Sequence, residues 1–239
     1  MKFYLLLFSC LCALNNAISQ QITATELLEK SIAFHDPQNK WPTFKGNFVI
    51  TMETPNKSPR VSAVLIDLEK EYFQVTATKD TITTRFTIDK NNCSFALNNS
   101  ENISEENMKK HNLNCERATL YKNYYTYLYG LPMKLKDPGT NINPTVEKKQ
   151  FKGKTYLVLK ANYDKTVGTD VWHFYFNPKT YAMEAYQFYK TNNDGTVKKD
   201  SGEYILLTDL KTINGVKMPK NRAWYYNKNN KLLGTDILY

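Results

Sequence analysis

The sequence predicts an α+β fold that is mostly β: a strongly curled antiparallel sheet, an incomplete half-barrel of about 11 strands, with about three helices covering its concave face. Three observations lead to this prediction. Short segments of alternating apolar and polar residues recur along the chain between turn sequences. A helical pattern interrupts them near the middle of the chain. Finally, the hairpin-like stretch 171–190 carries aromatic residues on both faces, so both faces need a cover.

The amino terminus has the pattern of a cleaved secretory signal peptide, residues 1–19. Lys2 precedes an apolar run from Phe3 to Leu14, and the small-residue stretch Ala17-Ile18-Ser19 follows it. This run is shorter than the roughly 20 residues that a membrane-spanning helix needs. We therefore expect a soluble protein in the periplasm or outside the cell. An alternative is lipoprotein anchoring through Cys10, but the apolar run continues past that cysteine and leaves too little signal before it.

The mature chain, residues 20–239, has a length typical of a single all-β domain. Of the four cysteines, Cys10 and Cys12 leave with the signal peptide, so Cys93 and Cys115 remain. In an oxidising compartment such a pair is expected to form a disulfide, which would tie the helical interruption to the strand before it. Two buried free thiols are the alternative.

The formal net charge of +9 favours solubility and allows contact with an anionic membrane surface. The densest basic cluster comprises Lys148, Lys149, Lys152 and Lys154. A solvated hairpin explains this cluster, and a lipid headgroup contact is the alternative. We expect a monomer and no nucleic-acid partner, because a secreted chain without a binding motif offers no basis for one.

Three helices are predicted. Residues 23–35 open with the capping box Thr23 and Glu26. Ser104 can cap a second helix that ends near His111. A third helix follows Cys115 and stops before Leu131-Pro132; its predicted inward stripe is Leu120, Tyr124 and Leu128, with Tyr121 and Tyr125 beside it.

Strands fill the remainder of the chain. In FKGNFVITM the apolar residues Phe48 and Ile50 share one face, which is the alternation of a strand with one buried side. Asn214-Gly215 and similar turn sequences separate the strands. The other predicted strands are VSAVLID, KEYFQVTAT, TITTRFTI, CSFAL and the segments near 145–151, 155–163, 169–176, 181–190, 202–210, 216–226 and 231–238.

The order of these elements resembles the LolA-like superfamily of periplasmic lipoprotein and lipid carriers. The similarity includes WHFYFNPKTYAMEAYQFYK with its Asn-Pro-Lys-Thr turn, and the Asn-Gly-Val and Met-Pro pattern at 214–219. SIAFHDPQNKW at 31–41 and LPMKLKDPG at 131–139 further resemble a secreted bacterial subfamily of unknown function. The resemblance implies an incomplete barrel plugged by helices.

The aromatic content points to a ligand-lining interior. Under this hypothesis an apolar concave wall accepts an acyl chain without a charged anchor, and the tyrosine-rich helix closes it. A tyrosine-rich solid core is the alternative. The predicted wall is Phe48, Ile50, Val75, Phe86, Leu159, Trp172 and Phe174, and the predicted lid is Tyr121, Tyr124 and Leu128.

No catalytic or cofactor motif is recognisable in the sequence. The three histidines, His35, His111 and His173, do not fall at metal-ligand spacing. A hydrolase would need an acid or base from His35 and Asp36, which suit a polar lock at a helix end equally well. We therefore expect no cofactor, no metal and no enzymatic activity.

Two functions from different classes remain. The first is a noncatalytic periplasmic binding protein for a lipid, a lipoprotein acyl chain or another hydrophobic ligand. The alternative is a secreted interaction or glycan-binding protein with a solid barrel core, whose exposed rings include Tyr189, Tyr225 and Tyr226.

Overall fold

The computed structural model describes residues 21–239, and the signal peptide predicted at 1–19, with Cys10, lies outside these residues. The helices are α1 (Ala24–His35), α2 (Glu105–Lys110) and α3 (Cys115–Gly130), with 3₁₀ turns at Trp41–Thr43 and Met133–Lys136. The strands are β1 (Lys45–Thr54), β2 (Lys57–Asp67), β3 (Tyr72–Lys79), β4 (Ile82–Asp89), β5 (Asn92–Leu97), β6 (Thr140–Ile142), β7 (Glu147–Phe151), β8 (Lys154–Tyr163), β9 (Val171–Phe176), β10 (Met183–Tyr189), β11 (Glu203–Ile213), β12 (Val216–Tyr226) and β13 (Leu232–Leu238). Within this part of the chain, no helix has the length and apolar character needed to cross a bilayer.

All the strands belong to one antiparallel sheet, in the order β5-β4-β3-β2-β1-β13-β12-β11-β10-β9-β8-β6, with β7 also paired to β8. The first and last strands meet in the middle, where Ile50 of β1 lies opposite Leu238 of β13. The edge strands β5 and β6 do not pair with each other, so the sheet is not closed into a barrel. The predicted fold class, an open and mostly β half-barrel, is confirmed.

The short strand β6 was not predicted, because its three residues lie in the linker DPGTNINP and show no alternation. The sheet therefore has more strands than the sequence indicated. The turn chemistry agrees with the prediction. Asn214 and Gly215 both adopt positive φ, 47° and 90°, as a type I′ hairpin turn requires.

The predicted capping box of α1 is present. The Glu26 main-chain N–H donates to the Thr23 hydroxyl, and the Thr23 N–H donates to the Glu26 carboxylate. The buried side chains of His35 and Asp36 fix the other end of α1. Asp36 accepts hydrogen bonds of 2.7 Å from the main-chain N–H groups of Lys40 and Trp41. These bonds hold the turn in which the sequence HDPQNKW leaves the helix.

His35 joins α1 to the sheet. Its Nε2 accepts a 3.0 Å hydrogen bond from the Met183 N–H, and its Nδ1 lies 2.8 Å from the Lys217 carbonyl oxygen. Since Nε2 accepts, the neutral ring carries its proton on Nδ1 and donates it to Lys217. Both ring nitrogens are thus hydrogen-bonded to the main chain. This is the arrangement expected for a polar lock at the helix end.

α3 lies against β3, β4 and β5. The predicted disulfide is formed between Cys93 of β5 and Cys115, the first residue of α3. The predicted inward stripe was wrong at Leu120, which is 54% exposed. Leu128 of the predicted stripe and the neighbouring Tyr125 are buried, and the helix also buries Ala118 and Tyr129. The disulfide and the Asn114 cap fix the rotation of the helix, and tyrosines occur on so many of its sides that spacing alone does not select one.

The aromatic stretch 171–190 buries rings on both faces of the sheet. Phe174 and Phe176 belong to the main core with α1 and α3. Tyr175 points to the outer face, where Phe151 of the β7–β8 hairpin stacks on it with ring centroids 4.5 Å apart. The helices therefore cover the concave face, and the hairpin covers part of the convex face.

We predict that His35 makes stability fall in acid. Burial lowers the His35 pKa to about 4, below its ordinary value of 6.5. The folded state therefore resists protonation. The stability that neutral His35 contributes is fully present above pH 6.5 and is lost as the pH falls toward 4, by about 2.5 kcal/mol at pH 4.5.

Urea unfolding of the wild type and of His35→Gln between pH 7.5 and 4.5 measures this effect. The variant retains a hydrogen-bonding side chain without the titration, so the stability difference between the two proteins should narrow in acid. A constant difference across this range would show that His35 does not titrate with folding.

We predict that the disulfide contributes about 3 kcal/mol to stability, since it closes a loop between residues 22 positions apart. The double variant Cys93→Ser/Cys115→Ser should unfold at lower urea concentration. Its α3 amides should also exchange faster than those of β12. Equal protection of α3 in both proteins would mean that packing alone holds the helix on the sheet.

Candidate functional site

The predicted lining residues share the concave face. Trp172, Tyr121 and Tyr124 are half-buried and pack against the core. The other predicted residues are buried in it and form one continuous cluster with α1 and α3: Phe48, Ile50, Val75, Phe86, Leu128, Leu159 and Phe174. The structure thus brings the wall and the lid together, with the side chains in contact in this conformation. Their role in binding a ligand stays a prediction.

A polar row crosses this apolar face. Cross-strand pairing places Arg60 of β2 opposite Met52 of β1, Met52 opposite Asp236 of β13, and Asp236 opposite Arg222 of β12. Directly paired residues in an antiparallel sheet point to the same face. Two arginines and one aspartate therefore lie along one line beneath α3. The sequence did not reveal them as a group, because three separate strand pairings create the line.

Arg222 is fully buried and connects the sheet to α3. It donates to the carbonyl oxygens of Leu128, near the end of α3, at 3.2 Å and of Pro219 at 3.1 Å. The centre of its guanidinium lies 3.8 Å from the centroid of the Tyr129 ring, a cation–π contact. Its Nε–H has no protein partner. Burying a cation costs free energy unless it is paired. The hydrogen bonds to Leu128 and Pro219 and the contact with Tyr129 are therefore what keep Arg222 at this position.

Asp236 faces Arg222 across the strand pair. Its Oδ2 accepts a 3.1 Å hydrogen bond from the Trp224 indole N–H. Burial raises the pKa of this carboxyl, although Arg222 and the Trp224 hydrogen bond oppose the effect. The negative charge at this position is therefore only partly compensated.

The hydroxyl groups of Tyr129 and Tyr186 are buried beside this row without a hydrogen-bond partner. Burial raises the pKa of both tyrosines, and Arg222 lowers both against that effect, which places the guanidinium near each ring. Arg60 makes only long contacts, 3.5 Å to the Tyr121 hydroxyl and 3.4 Å to the Tyr125 hydroxyl, and its Nε–H is also unpaired. These groups retain unused hydrogen-bonding capacity.

A cavity of about 290 Å³ opens above the row. The rings of Tyr124 and Trp224 lie nearly parallel, with centroids 6.3 Å apart, and Tyr186 packs edge-on against Trp224. The cavity is lined by Met52, Thr54, Tyr124, Glu203, Trp224, Leu233, Gly234 and Asp236. Asp236 is the charged member of the polar row that lines it.

The histidines lie apart from this site. His35 is held at the end of α1, His111 caps the end of α2, and His173 is half-buried on the outer face beside Tyr189. Burial lowers the His173 pKa to about 4, so its ring is neutral near pH 7. Across residues 21–239, no group of three His, Cys, Asp or Glu side chains is arranged to hold a metal ion.

The outer face carries a second set of rings. Tyr204 and Tyr225 stack with centroids 5.0 Å apart, and the Lys152 ammonium lies 4.1 Å from the Tyr204 centroid. Tyr225 and Tyr189 are partly exposed on this face, whereas Tyr226, 42% exposed, pairs with Glu203 and lies on the face that Trp224 shares. Tyr189 and Tyr225 match the exposed rings that the alternative function requires.

Comparison with known proteins supports the fold. A family model described as a family of unknown function, DUF6503, matches residues 1–239. No curated protein matches the chain. A LolA superfamily protein from Nitrosomonas europaea has a similar structure, with a TM-score of 0.51, 12% sequence identity and coverage of 91% of this chain and 92% of the other. A DUF1329 family protein from Desulfovibrio piger is similar with the same TM-score, 6% identity and 90% coverage of each chain. The resemblance to the LolA-like fold is confirmed.

We predict that Arg222→Met destabilises the protein by about 3 to 5 kcal/mol, because it leaves Asp236 and two carbonyl oxygens without their cationic partner. Lys220→Met removes an exposed cation from the same strand and should change stability by less than about 0.5 kcal/mol. Urea unfolding of both variants measures the difference. A variant at position 222 as stable as the wild type would show that Arg222 is not what holds α3 to β12.

Proposed function

We propose that this chain, which belongs to the DUF6503 family of unknown function, is a noncatalytic binding protein for a lipid, a lipoprotein acyl chain or another hydrophobic ligand. The ligand lies between the concave face of the sheet and α3. The observation that carries the proposal is the continuous apolar surface beneath one helix, with a cavity at its edge. Such a surface suits an acyl chain, each buried methylene of which contributes about 0.8 kcal/mol.

The attachment of α3 supports an opening motion. The helix is bonded covalently to β5 through Cys93–Cys115 and packs on β3, β4 and β5. Toward β12 it meets the sheet through the Arg222 hydrogen bond and the half-buried rings of Tyr124 and Trp224. A helix bonded covalently to one part of the sheet can tilt away from the part that it meets only through noncovalent contacts. The ligand then replaces the contacts that Leu128 and the tyrosines make with the wall.

The fold and the compartment agree with this role. The overall shape is shared with a LolA superfamily protein. The formed disulfide suits an oxidising compartment, and the predicted signal peptide favours the periplasm or secretion. We propose that the protein acts there as a soluble carrier or receptor.

Glycan or partner binding on the outer face is the second candidate. It is favoured by the stacked pair Tyr204 and Tyr225 and by the partly exposed ring of Tyr189, since aromatic faces can stack on sugars. In that case the concave interior is a permanent core. The two functions use opposite faces of the sheet and can be separated by mutation.

We predict that natively purified protein carries extractable lipid, and that Leu128→Gln loses it while Leu120→Gln keeps it. The two leucines lie on the same helix, but Leu128 is 4% exposed on the inward side and Leu120 is 54% exposed on the outward side. A polar amide beneath the helix removes apolar contact from the ligand.

Mass spectrometry of organic extracts measures this retention. Gel filtration before extraction restricts the comparison to folded protein. Tyr225→Ala removes a ring that stacks on Tyr204 on the outer face, so it serves as a second control and should retain lipid. Equal lipid content in all three variants, or none in the wild type, would contradict the assignment of the ligand to the concave face.

A further inference from the structure

Unpaired polar atoms concentrate at one place in the interior. In the part of the chain that the structure describes, the buried side-chain atoms without a hydrogen-bond partner are Ser31 Oγ, Arg60 Nε, Tyr129 OH, His173 Nδ1, Tyr186 OH and Arg222 Nε. Four of them, the two arginine nitrogens and the two tyrosine hydroxyls, lie around the polar row beneath α3. Each such group costs about 1 to 3 kcal/mol when left unsatisfied. A cluster of four therefore needs an explanation beyond packing.

The chemistry of these atoms specifies their missing partner. A guanidinium Nε–H can only donate, and a tyrosine hydroxyl can donate as well as accept. The matching group is an oxygen acceptor. Carbonyl and carboxylate oxygens have the planar geometry that arginine donors favour. Alkyl chains and cations provide no acceptor and leave the four groups unsatisfied.

The cavity gives such an oxygen a route to the row. Tyr124 and Trp224 form its walls, and Asp236 forms part of its floor. Tyr186 packs against Trp224, and Arg222 lies opposite Asp236. Two of the unpaired groups, those of Arg222 and Tyr186, thus belong to direct neighbours of residues that line the cavity.

Local charge is compatible with both a carboxylate and a neutral ester. Arg60 and Arg222 supply positive charge, and Asp236 and Glu203 supply negative charge. Burial raises the pKa of Asp236 and of Glu203, which means that the site disfavours their ionised forms. The acyl carbonyl oxygen is the feature that the two ligand types share.

We infer that the Arg222 end of this row is a headgroup site, in which Arg222, Tyr129 and Tyr186 bind the carbonyl or carboxylate oxygen at the end of an acyl chain. The inference rests on the proposed function and narrows it: the ligand is an oxygen-ended acyl compound, not any apolar molecule. Tyr129 and Tyr186 determine this selectivity because both rings lie beside the Arg222 guanidinium and their hydroxyls retain hydrogen-bonding capacity.

Binding of palmitate, methyl palmitate and hexadecane to delipidated protein tests the inference, by displacement of the uncharged fluorescent probe N-phenylnaphthylamine. The wild type should bind the acid and the ester more tightly than the alkane. Tyr129→Phe and Tyr186→Phe should each weaken the two oxygen-containing ligands by about tenfold, as expected for one lost hydrogen bond, and leave hexadecane unchanged. Preference for the acid or the ester identifies which form of the carbonyl group the site takes.

Tyr175→Phe is the matched control. Tyr175 is also fully buried, but its hydroxyl donates to Gln187 on the outer face, so its removal should not alter ligand binding. The phenylalanine variants at 129 and 186 remove hydroxyls without partners and should fold at least as stably as the wild type. A loss of binding in these variants can then be assigned to a lost contact with the ligand and not to unfolding.

Two outcomes would overturn the inference while the proposed function stands: equal affinity of the wild type for all three ligands, or unchanged acid and ester binding in both tyrosine variants. Equal weakening of hexadecane would also overturn it, since the hydroxyls would then shape the wall rather than bind oxygen. If no ligand binds the wild type, both the proposed function and the headgroup site fail.

Discussion

The open sheet has to cover its concave face, and most other features of the molecule follow from that constraint. Curling thirteen antiparallel strands without closing them leaves an inner surface of Phe48, Val75, Phe174 and similar residues that water would otherwise contact. α1 and α3 supply the cover. α1 is locked by His35 and Asp36, whose polar atoms bond to main chain on both sides of the helix end. α3 is held by a disulfide on one side and by Arg222 on the other. The two helices thus differ in the kind of attachment, which is by hydrogen bonds for α1 and by a covalent bond and a buried cation for α3.

Their different attachment connects the fold to the proposed function. A helix that served only as a core element would be expected to present an apolar stripe, whereas α3 meets the sheet through tyrosine rings and hydrogen bonds to arginines. Several of these polar atoms lack partners in the described part of the chain. A fully apolar interface of the same size would hold the helix more tightly. The observed interface combines apolar area for a chain with polar groups for its end, and both can exchange protein contacts for ligand contacts.

Local sequence patterns were sufficient for much of this architecture. Alternation located twelve strands, turn sequences such as Asn214-Gly215 separated them, and the capping residues Thr23, Ser104 and Glu26 marked helix starts. The disulfide followed from the compartment. Three features did not follow. β6 is too short to show a period, Leu120 was placed inward because tyrosines obscure the helical stripe, and the polar row depends on strand pairings. The pairing of β1 with β13 joins opposite ends of the chain, and no local pattern encodes it. The candidate site was therefore predictable in its apolar part and not in its polar part.

Hydrogen–deuterium exchange with and without palmitate tests the central claim most directly, because it reports which face of the sheet responds to ligand. The account predicts altered exchange in α3 and in the facing strands β12 and β13, with the β7–β8 hairpin on the outer face unchanged. Changes confined to that hairpin and the β12–β13 turn, with α3 unaffected by saturating ligand, would contradict it.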